Sequence, residues 1–133
     1  MENCIFCKIG KGEIPAHKIY EDQEFFAFLD IKPHAKGHTV LIPKKHGLNA
    51  LDYNDEDLSR LMCVIKKIML ILKKKLNPDG FNVGWNDGSA AGQVVPHLHL
   101  HILPRYNDDN GGSMHSIIKN PQVDVEDVAK LFK

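Results

Sequence analysis

The stretch His97-Leu98-His99-Leu100-His101-Ile102-Leu103 places a histidine at every second position, with apolar residues between. Successive side chains of a β-strand point to opposite faces, so the stretch predicts a strand with His97, His99 and His101 on one face. The apolar residues would then face a core. A buried imidazole is costly unless it has a hydrogen-bond or metal partner. The pattern therefore favours either a metal site or a nucleophile held by its neighbours.

The composition narrows the class of protein. The 133 residues suggest one domain, and the 17 basic and 17 acidic side chains leave no net charge. Bulk composition therefore gives no sign of nucleic-acid binding. No signal peptide is recognisable, the three cysteines fit a reducing compartment, and Lys66-Lys67 interrupt the longest apolar run. These features predict a cytoplasmic protein without a membrane span.

Hydrophobic patterning divides the chain into strands and one long helix. The strands are predicted over residues 18–21, 24–31, 38–43, 81–85 and 97–103. Asn54 is a candidate cap for a helix whose apolar residues recur at three- and four-residue spacing as far as Leu76, with Cys63 as a small core residue. Helical spacing also appears near the C-terminus, over residues 123–132.

Three local features suggest chemistry without deciding it. Cys4 and Cys7 can bring two thiolates to one Zn²⁺, but the other ligands would have to be His, Asp or Glu. Asp30 follows a hydrophobic strand, where it is equally suited to forming a turn or to accepting hydrogen bonds from a ribose diol. The polar, glycine-rich loop of residues 86–93 is weak evidence for phosphate binding by itself.

Taken together, several motifs resemble the histidine triad (HIT) family. The alternating pattern His-φ-His-φ-His-φ-φ, where φ is apolar, is that family's signature and is complete here. The resemblance covers residues 4–105, which leaves 106–133 as a tail. Its other segments are Phe28-Leu29-Asp30-Ile31, Gly37-His38, Ile42-Pro43-Lys44-Lys45-His46, Asn86-Asp87-Gly88 and Gly92-Gln93. As a set in this order, the motifs are highly specific.

The resemblance implies a hydrolase or transferase that acts on the α-phosphate of an AMP- or GMP-like purine nucleotide. His99 would attack phosphorus and form a nucleotidyl-histidine intermediate, which water then hydrolyses. The family likeness gives supporting roles to His101 and His38. The nucleotide-binding residues that it implies are Asp30 for the ribose, Asn86 and Gln93 for the phosphate, and Phe6, Ile9, Phe28, Leu29 and Ile31 for the base.

The resemblance also completes the cysteine pair. In the zinc-carrying branch of the family, a Cys-x-x-Cys joins one downstream histidine and the first histidine of the triad. Carried over, the ligands are Cys4, Cys7, His46 and His97, a closed Cys₂His₂ set for a structural Zn²⁺. Considered alone, His46 would be taken for a surface histidine.

Two departures bear on the substrate. The phosphoramidase branch often has Ser or Thr where this chain has Val94, and it ends in Trp-Pro-Pro-Gly, where this chain has Gly111-Gly112-Ser113-Met114-His115. In that branch, the hydroxyl of the Ser or Thr helps an amine leaving group to depart, and Val94 has no hydroxyl. Dinucleoside polyphosphates therefore remain as plausible as purine nucleoside phosphoramidates.

The expected architecture is α+β, an antiparallel sheet of about five strands with one long helix and short terminal helices. The family pairs two such sheets in a homodimer, which makes the long helix and residues 81–85 the expected interface. Two other functions remain open. One is a noncatalytic nucleotide-binding scaffold or sensor. The other is a metallohydrolase whose three triad histidines bind a catalytic metal, which leaves Cys4 and Cys7 unexplained.

Overall fold

The computed structural model describes residues 3–133 and shows a five-stranded antiparallel sheet in the order β1-β2-β3-β5-β4. The strands are β1 (Lys18–Glu21), β2 (Phe25–Leu29), β3 (Thr39–Pro43), β4 (Gly80–Gly84) and β5 (Leu100–Arg105). The helices are α1 (Ile5–Gly10), α2 (Asp55–Leu76) and α3 (Val125–Ala129). The predicted α+β fold, with one long helix and short terminal helices, is confirmed.

Helix α2 forms where its end signals and its apolar periodicity agree. The Asn54 side chain accepts a hydrogen bond from the Asp57 backbone N–H at 2.8 Å, and three acidic residues occupy the first turn. Three lysines occupy the last turn, where cations favour the helix dipole. Asn77 ends the helix in the left-handed region, at φ 49°.

The sheet has a different partner on each face. One face and α2 form the larger core cluster, which contains Leu98, Leu100 and Ile102. The other face carries a smaller cluster of Ile9 from α1 with Phe26, Phe28, Val40 and Ile42. His101 pairs with Val40 across the ladder, so the histidines lie on this second face. The predicted alternation of histidines and apolar core residues is confirmed.

The last strand differs from its predicted bounds. β5 begins at Leu100 rather than at residue 97, because β3 provides no ladder partner beyond Leu41 for the preceding residues. Pro43 has no N–H to donate, and the Leu98 N–H bonds instead to the Gly47 carbonyl at 2.8 Å. At its other end β5 continues through Pro104 to Arg105.

Two smaller expectations also need correction. β2 ends at Leu29 and β3 begins at Thr39, so both strands are shorter than predicted. Cys63 is exposed rather than in the core, because its side of α2 faces away from the sheet. The neighbouring Leu61 and Val64 take the buried positions instead.

Gly37 sets the entry to β3 and the position of His38. Its φ is +92°, and a β-carbon there would overlap the Leu76 side chain at the end of α2. A larger residue at this position would displace either the helix end or the strand.

The C-terminal segment lies mostly in contact with solvent. Residues 107–133 are exposed, including the large apolar side chains Met114, Ile117, Leu131 and Phe132. Residues 123–132 form α3 followed by one turn of tighter helix, close to the predicted helical span. No helix in residues 3–133 combines the length and the hydropathy needed to cross a membrane.

Candidate nucleotide and metal sites

Among residues 3–133, only one ring nitrogen of His99 has a hydrogen-bond partner. Its Nδ1 lies 2.7 Å from the His97 carbonyl oxygen, which can only accept, so Nδ1 carries the proton. In the neutral ring Nε2 then keeps its lone pair. The Phe6 ring packs edge-on against His99, with 4.9 Å between ring centres, and limits its rotation. The local structure thus fixes both the orientation of the ring and the tautomer of its neutral form.

The tautomer of His101 follows from a chain of hydrogen bonds that starts in the loop before β3. The backbone N–H of His34 donates to His38 Nδ1 at 3.1 Å, so in the neutral ring the proton of His38 is on Nε2. That Nε2–H donates to His101 Nδ1 at 2.9 Å. His101 therefore carries its own proton on Nε2, the ring nitrogen that takes no part in this series of hydrogen bonds. In their neutral forms, His99 therefore offers a lone pair on Nε2, and His101 offers an N–H donor on Nε2.

Both rings of this pair are held neutral. Burial, reinforced by the neighbouring His99 and His38 rings, lowers the pKa of His101 to about 4. Burial also lowers the pKa of His38, although the Asp30 carboxylate, 3.6 Å from His38 Nε2, opposes the shift. The ring of His34 stacks at a tilt against His38, and it too disfavours a charge on either ring.

The half-buried side chain of His101 is expected to make the fold less stable in acid. The unfolded chain binds a proton on this residue below an ordinary pKa of about 6.5, and the folded chain does so only below about 4. Between these values the unfolded state binds more protons, so the free energy of unfolding falls as the pH falls. We expect His101 to contribute about 2 kcal/mol of this loss, after allowance for its partial exposure.

Urea denaturation at several pH values checks this expectation, with His101→Gln as the comparison because glutamine retains an acceptor for His38. Acid also protonates the cysteine and histidine cluster in both proteins, so only the difference between them is interpreted. The wild-type chain should lose more stability than the variant between pH 7 and pH 4. Equal losses would contradict the role assigned to His101.

A second cluster, of cysteines and histidines, includes His97, the first histidine of residues 97–103. Cys4 caps α1 and Cys7 lies within it, His46 follows β3, and His97 precedes β5. The Nδ1 atom of His97 is 3.3 Å from Cys4 Sγ, 3.5 Å from Cys7 Sγ and 3.2 Å from His46 Nδ1. The fourth measured separation, from Cys7 Sγ to His46 Nδ1, is 3.3 Å.

These four atoms fit a tetrahedral metal ion. Zinc bonds to sulfur at about 2.3 Å and to nitrogen at about 2.0 Å, so a tetrahedron has S–N and N–N edges of about 3.5 and 3.3 Å. The measured separations are within a few tenths of these values. His97 Nε2 donates to the Pro43 carbonyl at 2.7 Å, which leaves the Nδ1 lone pair aimed at the cluster. The group Cys4, Cys7, His46 and His97 could therefore hold a metal ion.

The loop that carries His46 is held independently of the cluster. The hydroxyl of Tyr53 donates to the Lys45 carbonyl at 2.7 Å, and the Tyr53 ring lies against Gly47 so closely that a β-carbon there would overlap it. Burial raises the pKa of Tyr53 above its ordinary value, so the hydroxyl stays a donor. The contacts of Tyr53 with Lys45 and Gly47 thereby hold the loop in the position that brings His46 to the cysteines.

The alternative of one metal shared by the three triad histidines is wrong for this geometry. Within residues 3–133, His97 groups with the cysteines, His101 groups with Asp30 and His38, and His99 belongs to neither group. In the second group, the facing nitrogens of His38 and His101 are already joined by an N–H···N bond. The three histidines therefore have separate partners.

The residues expected to bind a nucleotide differ in their burial and in their contacts. Phe6 lies between Phe28 and His99, at ring-centre distances of 5.8 and 4.9 Å. One Asp30 oxygen accepts from the Lys32 N–H at 2.8 Å, and the carboxylate remains partly exposed. Of the remaining apolar candidates, Ile9 is buried in the smaller core cluster, Leu29 is half-buried and Ile31 is exposed.

The two polar candidates of the loop also differ. Asn86 lines a cavity together with His101. The Gln93 amide instead braces the loop, since its oxygen accepts from the Gly88 N–H and its nitrogen donates to the Leu48 and Val95 carbonyls. Its polar atoms are therefore already bonded to backbone groups of the loop and of the segments beside it.

The family resemblance implies a backbone carbonyl as the acceptor for His99 Nδ1–H, but the sequence did not identify which backbone groups set the histidine tautomers. These are the His34 N–H and the carbonyls of Pro43 and His97. Every residue except proline carries the same N–H and C=O, so no residue type marks them. Only the fold shows which of them reach a ring nitrogen.

The sequence profile of the HIT domain matches residues 11–108. A HIT-like protein of Methanocaldococcus jannaschii is 46% identical over 130 residues, which cover 98% of each chain. An adenosine 5'-monophosphoramidase of Candida albicans is 42% identical over 113 residues, 82% of this chain and 74% of that protein. The crystal structure of a HIT family protein from Bacillus anthracis superposes with a TM-score of 0.84 at 39% identity, over 98% of this chain and 93% of that one.

Proposed function

Since the chain belongs to the HIT domain family, we propose that it is a nucleotide hydrolase or transferase that works through a nucleotidyl-histidine intermediate. Its substrates would be purine nucleoside phosphoramidates or dinucleoside polyphosphates, cleaved at the α-phosphate. The observation that carries the proposal is the hydrogen bond from His99 Nδ1 to the His97 carbonyl, which leaves Nε2 as a nucleophile. The phosphoramidase activity named for the Candida albicans relative supports it.

In the proposed reaction, the Nε2 lone pair of His99 forms a bond to the α-phosphorus. The bond from phosphorus to the leaving group breaks, and its electron pair departs with that group. Water then attacks the phosphorus and returns the electron pair of the P–N bond to His99. Because the ring is already oriented and its tautomer is set, little reorganisation precedes the attack.

The neighbouring rings stabilise charge in this proposal. The Nε2–H of His101 donates a hydrogen bond to a phosphate oxygen or to the leaving atom, and it stays neutral while it does so. His38 positions His101 through the bond to its Nδ1, so it acts as a positioning residue. One oxygen of Asp30 lies 3.6 Å from His38 Nε2, and we assign this oxygen, which does not accept from the Lys32 N–H, to the ribose hydroxyls.

For the nucleotide itself, we assign the base to the apolar surface formed by Phe6 and Phe28, with Leu29 and Ile31 at its edge. Ile9 supports this surface from the core. Asn86 is proposed to contact the phosphate. Gln93 is assigned a positioning role, since its amide holds the loop that carries Asn86.

We propose that the Cys4, Cys7, His46 and His97 group holds a structural zinc ion. When bound, the ion would neutralise the thiolates and link α1, the loop after β3 and the catalytic segment. The closed set of four protein ligands supports a structural role, because a catalytic zinc keeps a position open. The ion would thus hold His97, whose carbonyl orients His99.

A homodimer is also proposed. β4 is an edge strand of the sheet, and Val83 and Trp85 are partly exposed on and beside it. Met62 and Leu70 are exposed on α2, at 63% and 61%. Exposed apolar side chains on an unpaired edge suit burial against a second copy. Sedimentation equilibrium should give twice the chain mass.

The cytoplasmic location and the lack of a nucleic-acid partner stay predictions from composition.

Mass spectrometry of protein quenched during turnover tests the reaction class. An adenylate donor should leave one nucleotidyl group on the peptide that contains His99. Fragmentation should place the group on that residue rather than on His97 or His101. A group on another residue, or turnover without any adduct under conditions that trap phosphohistidine, would contradict the proposal.

A further inference from the structure

The two cysteines of the metal-binding group lie in one turn of chain at the start of α1. Cys4 caps the helix and Cys7 is its third residue. The ligand atoms of the group all lie within 4.8 Å of one another, so the two sulfur atoms do as well. Residues three apart in a helical turn have Cα atoms about 5 Å apart, which a disulfide can span. The two sulfurs can therefore ligate one ion or bond to each other.

A disulfide and a metal ion exclude each other at this pair. In a tetrahedral site with Zn–S bonds of about 2.3 Å, the two sulfurs are about 3.8 Å apart. A disulfide brings them to about 2 Å and leaves both sulfurs uncharged. Oxidation would therefore remove both thiolate ligands at once. The remaining members of the group, His46 and His97, are too few to form a closed site.

A small oxidant can reach the sulfur atoms from the side of His46. Cys4 and Cys7 are almost buried, with 8% and 7% of their surface exposed. His46, whose Nδ1 lies 3.3 Å from Cys7 Sγ, is only half-buried. The Cys7 backbone N–H donates to Cys4 Sγ at 3.3 Å, which favours a thiolate on Cys4. Thiolate character and solvent access are the two conditions for oxidation of a cysteine.

The other two ligands are held in place without an ion. The Tyr53 hydroxyl donates to the Lys45 carbonyl at 2.7 Å, and His97 Nε2 donates to the Pro43 carbonyl at 2.7 Å. A disulfide beside two neutral imidazoles also leaves no buried charge, whereas metal-free thiolates would. We therefore expect the oxidised chain to stay folded, with the His97 carbonyl still accepting from His99 Nδ1.

Phe6 connects the cysteine pair to the surface proposed for the nucleotide base. It is one of the two residues between the cysteines, and its ring packs against Phe28 and His99. Helix α1 is only six residues long, and Ile9 anchors its second half in the smaller core cluster. The first half is anchored through the cysteines. Loss of the ion and closure of the disulfide therefore change the anchoring of Phe6.

We propose that Cys4 and Cys7 are an oxidation site at which a peroxide forms a disulfide, expels the metal ion and weakens nucleotide binding by displacing Phe6. The inference rests on the proposed function, and within it on the structural zinc. Because His99 keeps its carbonyl partner, oxidation raises KM and changes kcat little. A reductant restores the thiolates, and zinc then binds again.

The oxidation is balanced with the peroxide as the electron acceptor. One thiolate attacks a peroxide oxygen, the O–O bond breaks, and a sulfenic acid forms while the other oxygen leaves as hydroxide. The second thiolate attacks the sulfenic sulfur, forms the S–S bond and releases a second hydroxide. Each hydroxide takes a proton from the solvent and becomes water. The two sulfurs lose two electrons, the peroxide gains them, and Zn²⁺ leaves unchanged in oxidation state.

The test uses reduced, zinc-loaded protein with Cys63→Ser, which removes the exposed third cysteine. Hydrogen peroxide should release one zinc per chain to a chromophoric chelator, at the rate at which Cys4 and Cys7 become resistant to alkylation. Calorimetric titration should then show an AMP affinity about 10-fold lower, a typical coupling between two sites. The kcat for an adenylate donor should change by less than about threefold. Dithiothreitol with zinc should restore the affinity.

The control for other oxidised side chains is Cys4→Ser with Cys7→Ser in the same background. It keeps Phe6 and the four methionines, but it cannot form the disulfide. Its AMP affinity should not respond to peroxide. A response equal to that of the Cys63→Ser protein would overturn the proposal. Should this control fail to fold, recovery with dithiothreitol decides, because this thiol reduces disulfides but does not reverse methionine oxidation under these conditions.

The remaining outcomes separate the proposal from the function on which it rests. No disulfide at peroxide concentrations that oxidise methionine, zinc loss without a disulfide, or an unchanged AMP affinity after oxidation would each overturn it. A fall in kcat with unchanged KM would also do so, because Phe6 would not be the link. Reduced protein that holds zinc but neither binds AMP nor cleaves an adenylate donor overturns the proposed function first. Zinc release and disulfide formation need no nucleotide, so they still decide the oxidation site.

Discussion

The variant His99→Asn is expected to lose about four to six orders of magnitude in kcat, with little change in nucleotide affinity. The reason is specific to the nucleophile. Asparagine can still donate to the His97 carbonyl, which His99 Nδ1 reaches at 2.7 Å, so the local backbone is preserved. It has no nitrogen lone pair to form a bond with phosphorus. Single-turnover kinetics and equilibrium binding of AMP measure the two quantities separately.

The same variant distinguishes the enzyme from a nucleotide-binding scaffold. A scaffold would show slow turnover in the wild-type chain and no further loss in the variant. His38→Gln is the comparison, because His38 reaches the reaction only through His101 Nδ1, at 2.9 Å. Its loss should be smaller, and an adduct on His99 should still form. Persistent turnover in His99→Asn would show that another residue attacks phosphorus.

Replacing both cysteines by serine, Cys4→Ser with Cys7→Ser, is expected to abolish metal binding and lower the melting temperature by more than about 10 °C. The wild-type chain should carry one zinc per chain. The four donor atoms come from α1, the loop after β3 and the segment before β5, so the ion would link three parts of the chain. Elemental analysis gives the metal content, and calorimetry gives the melting temperature.

Cys63→Ser is the matched control, since Cys63 is exposed on α2 and lies outside the cluster. It should retain the zinc and the wild-type melting temperature. A chelator should destabilise the wild-type chain and the control, and leave the double variant unchanged. Full metal content in the double variant would show that the ion binds elsewhere, and the structural zinc site would then be wrong.

Local sequence signals were enough for most of the fold. Asn54, the acidic first turn and the lysines of the last turn place α2 within a residue of its observed ends. These signals act over three or four residues, so one stretch of chain contains them. Strand ends were less predictable, because a ladder ends where a partner strand ends. β5 begins at Leu100 because β3 offers it no pairing beyond Leu41.

Some features of the candidate sites could likewise be predicted from the sequence, and others could not. The alternation of residues 97–103 is sufficient to place three imidazoles opposite three core side chains. The Cys₂His₂ group was reached through family resemblance, since Cys4 and His97 are separated by most of the chain. Cys63 was assigned to the core because composition does not say which side of a helix a small residue occupies, and the structure exposes it.

The sequence by itself determined the sheet-and-helix architecture and the face that carries the histidines, because periodicity and caps are local. Only the tertiary structure decided what each histidine nitrogen does, since the His34 N–H and the Pro43 and His97 carbonyls reach the rings through the folded backbone. It also decided that Arg105 fastens the C-terminal turn beside His101. Such contacts depend on distances between segments far apart in sequence, and residue spacing along the chain does not specify those distances.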